Sequence, residues 1–287
     1  MNNALEVRNL CKTYNDFSLD SISFTLPAGY IMGFVGQNGA GKTTTIRLIL
    51  NMANRTGGEV KIFDSDNIED ELTVKQELAA VFDEIFFVDV WRVREVEKVV
   101  KGFYNEWDSG QFAAYLKKFK LPPDKKVKDL SRGMKLKLML TVAMSHNAKL
   151  LILDEPTSGL DPVARDELLD ILREYISDGE KSVFFSTHIT SDLEKIADYI
   201  TLIDNGKMFF TGAKDDLEAY FLLVKGGADD LTDTLKSQLI GLSSNATGFS
   251  GLLPSSKSEM LSDRLVTETP TIDEILVRIS KGGSRNE

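Results

Sequence analysis

The sequence predicts an α/β protein: a mostly parallel core sheet, an antiparallel β region near the N-terminus and an inserted helical subdomain. Three observations carry this. The compact apolar runs "YIMGFVG", "KLLILDEP" and "KSVFFSTH" have the form of strands buried on both faces. Each is followed by a stretch whose apolar residues suit a helix. From about residue 84 to 148 the pattern turns helical throughout.

Taken in order, "LEVRNL" and "FSLDSISFTL" read as strands broken at Pro27-Ala28-Gly29. "YIMGFVG" runs through a glycine-rich turn into the helical "KTTTIRLILNM", and "GGEVKIF" returns to strand. "VREVEKVVKGFY", "SGQFAAYLKKF" and "SRGMKLKLMLTVAMSH" space their apolar residues as helices do. "KLLILDEP" is a buried strand ending in carboxylates, "RDELLDILREYI" an amphipathic helix, "KSVFFSTH" a strand and "TSDLEKIAD" a short helix. "YITLIDNGKMFFTG" reads as a hairpin turning at Asn205-Gly206.

These elements give one large domain over residues 1–224, with the helical subdomain at about 84–148. Residues 225–287 form a small C-terminal extension, either an appended subdomain or a loose tail. Within it "TIDEILVRI" reads as a last helix, and "GGSRNE" is expected to fray.

The 287 residues carry 42% hydrophobic and 27% charged side chains, the composition of a soluble globular protein. A single cysteine, Cys11, excludes an internal disulfide framework and fits a reducing cytosol. The start "MNNALEVRNL" has no signal-peptide pattern, and no apolar run approaches the roughly 18 residues that span a bilayer. The net charge of −10 excludes a general nucleic-acid binder, which needs a basic footprint on the phosphates. The basic stretch "YLKKFKLPPDKKVKD" reads as a solvated helix face and loop.

"GQNGAGKTT", residues 36 to 44, satisfies G-x-x-x-x-G-K-[ST] between a strand and a helix, the setting of a P-loop NTPase. Gly36, Asn38, Gly39, Ala40 and Gly41 would bring backbone N–H groups around phosphate oxygens at a helix N-terminus. Lys42 reaches the β- and γ-phosphates of ATP, Thr43 ligates Mg²⁺, and Thr44 is a further nucleotide-binding residue. "LLILDE", residues 150 to 155, supplies Asp154 to hold Mg²⁺ and Glu155 as the general base for an attacking water.

With both motifs in place, the chain resembles the nucleotide-binding subunit of an ABC transporter over roughly residues 4 to 220. The resemblance implies two ATPase subunits, alike or different, that sandwich two nucleotides. Each pocket is then completed by a signature from the other subunit. "LSRGMK", residues 130 to 135, stands at the signature's place and keeps Ser131 and Gly133 for the γ-phosphate. Arg132 and Met134 depart from the family's glycine and glutamine. Tyr14 resembles the aromatic that stacks on adenine. Asp161 of "SGLDP" resembles the key residue of the loop that crosses the dimer, and His188 the switch histidine at the γ-phosphate.

The family's glutamine before the helical region is missing from "LAAVFDEIFF". Alignment places Glu84 there as a Mg²⁺ ligand, with Asp83 the alternative. Phe86, Phe87 and Trp91 follow as candidates for docking a transmembrane permease subunit, or equally as packing for the helical subdomain. The resemblance further implies a cytoplasmic location on the inner face of the membrane, through that partner. "GKTTTIRLILNMANRTGGEVKIFD" resembles the exporter-powering subfamily, and more closely still the chain resembles bacterial subunits associated with antimicrobial or cytolytic peptide export. The rival reading is a soluble or regulatory ABC ATPase not coupled to transport.

Overall fold

The computed structural model describes residues 2–82 and 87–283. Its first half runs β1 (Asn3–Thr13), β2 (Ser18–Pro27), β3 (Ile31–Val35), α1 (Lys42–Ile49), β4 (Gly57–Ile62), β5 (Ser65–Asp66), α2 (Glu71–Glu77) and β6 (Leu78–Val81). Three helices follow: α3 (Val93–Val100), α4 (Ser109–Lys118) and α5 (Arg132–Met144). The chain then alternates through β7 (Leu150–Asp154), α6 (Pro162–Tyr175), β8 (Ser182–Thr187), α7 (Thr190–Ile196), β9 (Tyr199–Asp204) and β10 (Lys207–Ala213). It closes with α8 (Lys214–Tyr220), β11 (Phe221–Gly226), α9 (Asp233–Gln238), β12 (Ile240–Ser244), β13 (Phe249–Pro254), β14 (Val266–Glu268) and α10 (Ile272–Gly283).

The central sheet has the order β10-β9-β3-β8-β7-β6, parallel except for the β9–β10 hairpin. That hairpin turns at Asn205 and Gly206, both left-handed at φ 46° and 73°, as a two-residue Asn-Gly turn requires. The core strands face two hydrophobic layers with period two. On β3, Ile31 and Val35 join the layer of α3 to α7, whereas Met32 and Phe34 face α1 and the N-terminal sheet. β7 and β8 repeat the alternation, with Leu151, Leu153, Val183 and Phe185 on one side and Leu150, Ile152 and Phe184 on the other. This is why the three apolar runs are continuous rather than alternating in sequence.

The antiparallel sheet β2-β1-β4-β5 covers the second layer. Phe24 of β2 stacks on Phe184 at 5.5 Å and meets Phe34 at 5.6 Å, which ties the two sheets together beside the strand ends. A third sheet, β12-β13-β11-β14, has a small core of Val224, Leu235, Leu239, Phe249 and Leu253. Helix α10 sends Ile272, Ile275 and Ile279 into the main core, so this C-terminal unit is attached to the main body. "GGSRNE" lies largely outside the described residues.

His146 joins the helical region to the core sheet. It is buried, its Nδ1 lies 3.2 Å from the Val142 carbonyl, and its Nε2 lies 3.3 Å from that of Leu78 at the start of β6. Tyr104 stacks on the ring at 3.7 Å. Burial pushes the imidazole below its usual 6.5, against the pull of the two carbonyls. The stability it contributes is therefore full above the unfolded value and is lost as pH falls from about 6.5 toward the folded one. The chain has only two histidines, so a proton NMR titration resolves them. The resonance removed by His146→Gln should titrate below 6.5, and a midpoint above it would refute the burial argument.

Candidate functional site

The site forms where β3, β7 and β8 end side by side in the parallel sheet. Between β3 and α1 the chain turns through Gly36–Gly41, and Gly41 has φ 112°. A Cβ there would meet Phe17 at 2.9 Å, so both the conformation and the space require glycine. Thr45 Oγ1 donates to the Gly41 carbonyl at 2.9 Å and sets the first turn of α1.

Lys42 is almost fully buried, with its Nζ 2.7 Å from the Gly36 carbonyl and 3.1 Å from that of Gln37. The same ammonium is 3.0 Å from Glu155 Oε1, an ion pair without an aligned hydrogen bond. Glu155 Oε2 lies 2.7 Å from His188 Nδ1, so one carboxylate bridges the lysine and the histidine. Its backbone is left-handed at φ 50°, a strain of about 1–3 kcal/mol. Two bonds hold it there: Glu155 N–H donates to Ser186 Oγ at 3.0 Å and to the Ser186 carbonyl at 3.2 Å. Ser186 Oγ in turn donates to Asp154 Oδ1 at 2.6 Å.

Ser186 is the residue that sequence reasoning missed. It is fully buried on β8, two positions before His188, and aligns both carboxylates. A hydroxyl inside the apolar run "VFFSTH" was its signal.

The cleft above Lys42 encloses about 670 Å³, lined by Tyr14, Asn38, Gly39, Thr43, Thr44 and Glu155, among others. Tyr14 is half exposed at the rim, with Lys12 Nζ 5.1 Å from its ring centroid. Gly36 and Ala40 pack beneath the turn. Ser131, Gly133 and Asp161 do not line this cleft. Ser131 caps α5, its Oγ accepting from Met134 N–H at 3.3 Å. Asp161 caps α6, its Oδ1 accepting from Val163 and Ala164 N–H at 3.0 Å each. Replacing such a cap by alanine typically costs about 1 kcal/mol. At Gly133 a Cβ would find only ordinary contacts, 3.8 Å from Ala164 and 3.9 Å from Leu160. The chain's own fold thus does not demand that glycine.

A family profile described as ABC transporter matches residues 19–158. The chain is 31% identical over 212 residues to the bacitracin transport ATP-binding protein BcrA of Enterococcus faecalis, covering 72% of this chain and 68% of that one. Over 229 residues it is 31% identical to the Nod factor export ATP-binding protein I of Rhizobium leguminosarum bv. viciae, covering 73% and 69%. The chain belongs to the ATP-binding subunits of ABC transporters. A solved ATP-binding subunit of an ABC transporter superposes with a TM-score of 0.69 at 26% identity, over 75% of this chain and 92% of that one. As an ABC ATPase, the chain binds and hydrolyses ATP.

Glu84 and Asp83, the residues expected at the missing glutamine, lie outside the described residues, as does Phe86. Phe87 and Trp91 are half-buried and pack against the main core, and Phe87 also lines a groove with Phe103 and Tyr104. The exposed apolar side chains nearby are others. Two adjoining grooves share Ala80, Phe103 and Tyr104, and the larger, about 480 Å³, is also lined by Leu72 and Met52. Leu72 is 83% and Phe103 70% exposed. Among the described residues no helix is long and apolar enough to cross a membrane.

Proposed function

We propose that the chain energises export of a substrate of peptide class through a separate transmembrane subunit, working as one of two ATPase subunits on the inner face of the membrane. The observation that carries its chemistry is the convergence of Lys42, Asp154, Glu155 and His188, held through Ser186, at the ends of three parallel strands. A Nod factor export protein among its relatives supports the export direction, and a bacitracin transport protein supports a peptide-class substrate.

The residues divide the reaction. Lys42 exchanges Glu155 for the β- and γ-phosphate oxygens, and the Gly39–Thr44 backbone receives the remaining charge at the start of α1. Glu155, kept in line by its backbone bonds to Ser186 and by His188, accepts the proton of the water that attacks the γ-phosphorus. His188 holds that carboxylate and lies beside the same phosphate.

Asp154 and Thr43 are the residues that fit Mg²⁺. Asp154 stands at the strand end with one oxygen fixed by Ser186, and Thr43 is exposed on the cleft. The ion would neutralise charge on the phosphate oxygens. Ser131, Gly133 and Asp161, set away from the cleft, are assigned to the nucleotide of the second subunit. Tyr14 is assigned to adenine.

The transmembrane partner is assigned to the groove of Leu72, Phe103 and Tyr104. A two-residue change, Leu72→Ser with Phe103→Ser, should leave basal ATPase within about twofold. It should weaken partner stimulation about tenfold or more, the effect of losing apolar interface anchors. The measurement is ATP turnover with and without the co-expressed membrane protein in detergent or nanodiscs. Unchanged stimulation would move the docking surface elsewhere. A wild-type chain that no membrane protein stimulates would sink the transport reading itself.

A further inference from the structure

Arg132 stands where the family's signature has glycine, and its side chain has a definite place. It is the first residue of α5, exposed, directly after the capping Ser131. Its guanidinium lies across Gly159, in the loop between Glu155 and α6. A Cβ built on Gly159 would stand 2.9 Å from Arg132 Cζ and 3.4 Å from Nε, and closer still to Nη1. Gly159 also takes φ 67°, so a side chain there would be strained and would push the guanidinium aside.

The loop under the guanidinium connects two functional positions. It starts at Glu155, whose carbonyl accepts from Ser158 N–H at 3.1 Å, and Thr157 then accepts from Leu160 N–H at 3.2 Å. It ends at Asp161, the cap of α6. The next residue of α5, Gly133, faces Leu160 and Ala164, and farther along Lys137 pairs with Glu167 at 2.5 Å. Arg132 therefore lies at the outer end of an α5–α6 contact, on the part of the loop that turns between Glu155 and Asp161.

We propose that Arg132 is a positioning residue: laid across Gly159, it fixes the Ser158–Asp161 loop to the N-terminal end of α5. Signature and loop then meet the second subunit's nucleotide as one unit. The idea rests on the two-subunit reading above. A planar guanidinium covers a glycine backbone in one orientation, which a lysine ammonium on a flexible stem does not. With glycine at position 132 the contact across Gly159 would be lost. The family's other departure, Met134, is half-buried and packs against the main core.

The test uses the full chain, with steady-state ATPase and, in a Glu155→Gln background, ATP-driven dimerisation. Arg132→Gly should lower kcat about 10- to 100-fold, the scale of a misplaced reacting geometry. KM for ATP should stay within about twofold, because the chain's own cleft is untouched. The fraction of dimer at saturating ATP should fall. Arg132→Lys should behave like Arg132→Gly, and full rescue by lysine would overturn the bridge in favour of charge alone.

Gly159→Ala should reproduce the loss. The double variant with Arg132→Gly should be no worse than the poorer single one, since both break one contact. Additive losses would overturn the proposal, as would an Arg132→Gly protein indistinguishable from wild type in kcat and dimerisation. If wild type hydrolyses ATP without ATP-driven dimerisation, the two-subunit reading falls first. If it dimerises and only the Arg132 variants fail to differ, that reading stands and Arg132 has no part in it.

Discussion

Glu155→Gln is expected to cut ATP turnover roughly 10²–10⁴-fold, the usual worth of a positioned general base, while leaving ATP binding intact. The separation follows from the geometry. Glutamine has the shape of glutamate, and the anchors of residue 155 are backbone bonds to Ser186, which the change does not touch. The left-handed backbone and the strand ends should therefore hold. What disappears is the proton acceptor between Lys42 and His188. Lys42, no longer opposed by a carboxylate, should hold phosphate at least as well. Closure without hydrolysis should trap an ATP-bound dimer, visible as a doubled mass by size exclusion with light scattering. Single-turnover rates with radiolabelled ATP check the chemistry. Undiminished turnover would place the base elsewhere.

The core of the fold was legible because its physics is local in sequence. Strands buried on both faces must be apolar throughout, so "YIMGFVG", "KLLILDEP" and "KSVFFSTH" announced themselves, and the Asn205-Gly206 pair announced its turn. The phosphate loop was legible for a similar reason: glycine spacing, lysine and threonine are all contiguous. Beyond residue 225 the last helix, "TIDEILVRI", was legible and the strands were not. β12 ends in the polar "SS", β14 is three exposed residues, and their shared core is small. Short edge strands of that kind carry no period long enough to count.

Contacts between distant segments were the other blind spot. Nothing in "LSRGMK" says that Arg132 lies over Gly159, and nothing in "FFSTH" says that Ser186 binds both Asp154 and the Glu155 backbone. The docking aromatics show the same limit. "IFFVDVW" reads equally as a surface or as packing, and only the tertiary structure shows Phe87 and Trp91 against the core while Phe103 stands out.

Lys42→Ala is expected to weaken ATP binding about 10- to 100-fold, which corresponds to the 1.5–3 kcal/mol of a charge-assisted hydrogen bond. Isothermal titration with a non-hydrolysable ATP analogue measures it, with thermal melting in parallel, because the change also leaves the Glu155 carboxylate with His188 as its one remaining partner among the described residues. Unchanged affinity would undo the phosphate-loop assignment. Ser131→Ala, by contrast, should bind ATP normally and fail in turnover, because Ser131 caps α5 away from its own cleft. The two defects should therefore complement. In a dimer of one Ser131→Ala and one Lys42→Ala chain, the intact Lys42 and the intact Ser131 belong to different subunits and meet at one composite site. Both defects fall on the other site. With equal mixing of symmetric subunits, half the dimers are mixed and each keeps one of two sites, so about a quarter of wild-type turnover should return. Neither protein alone should reach that level. Activity no greater than that of the separate proteins would remove Ser131 from the partner's nucleotide and leave it a helix cap.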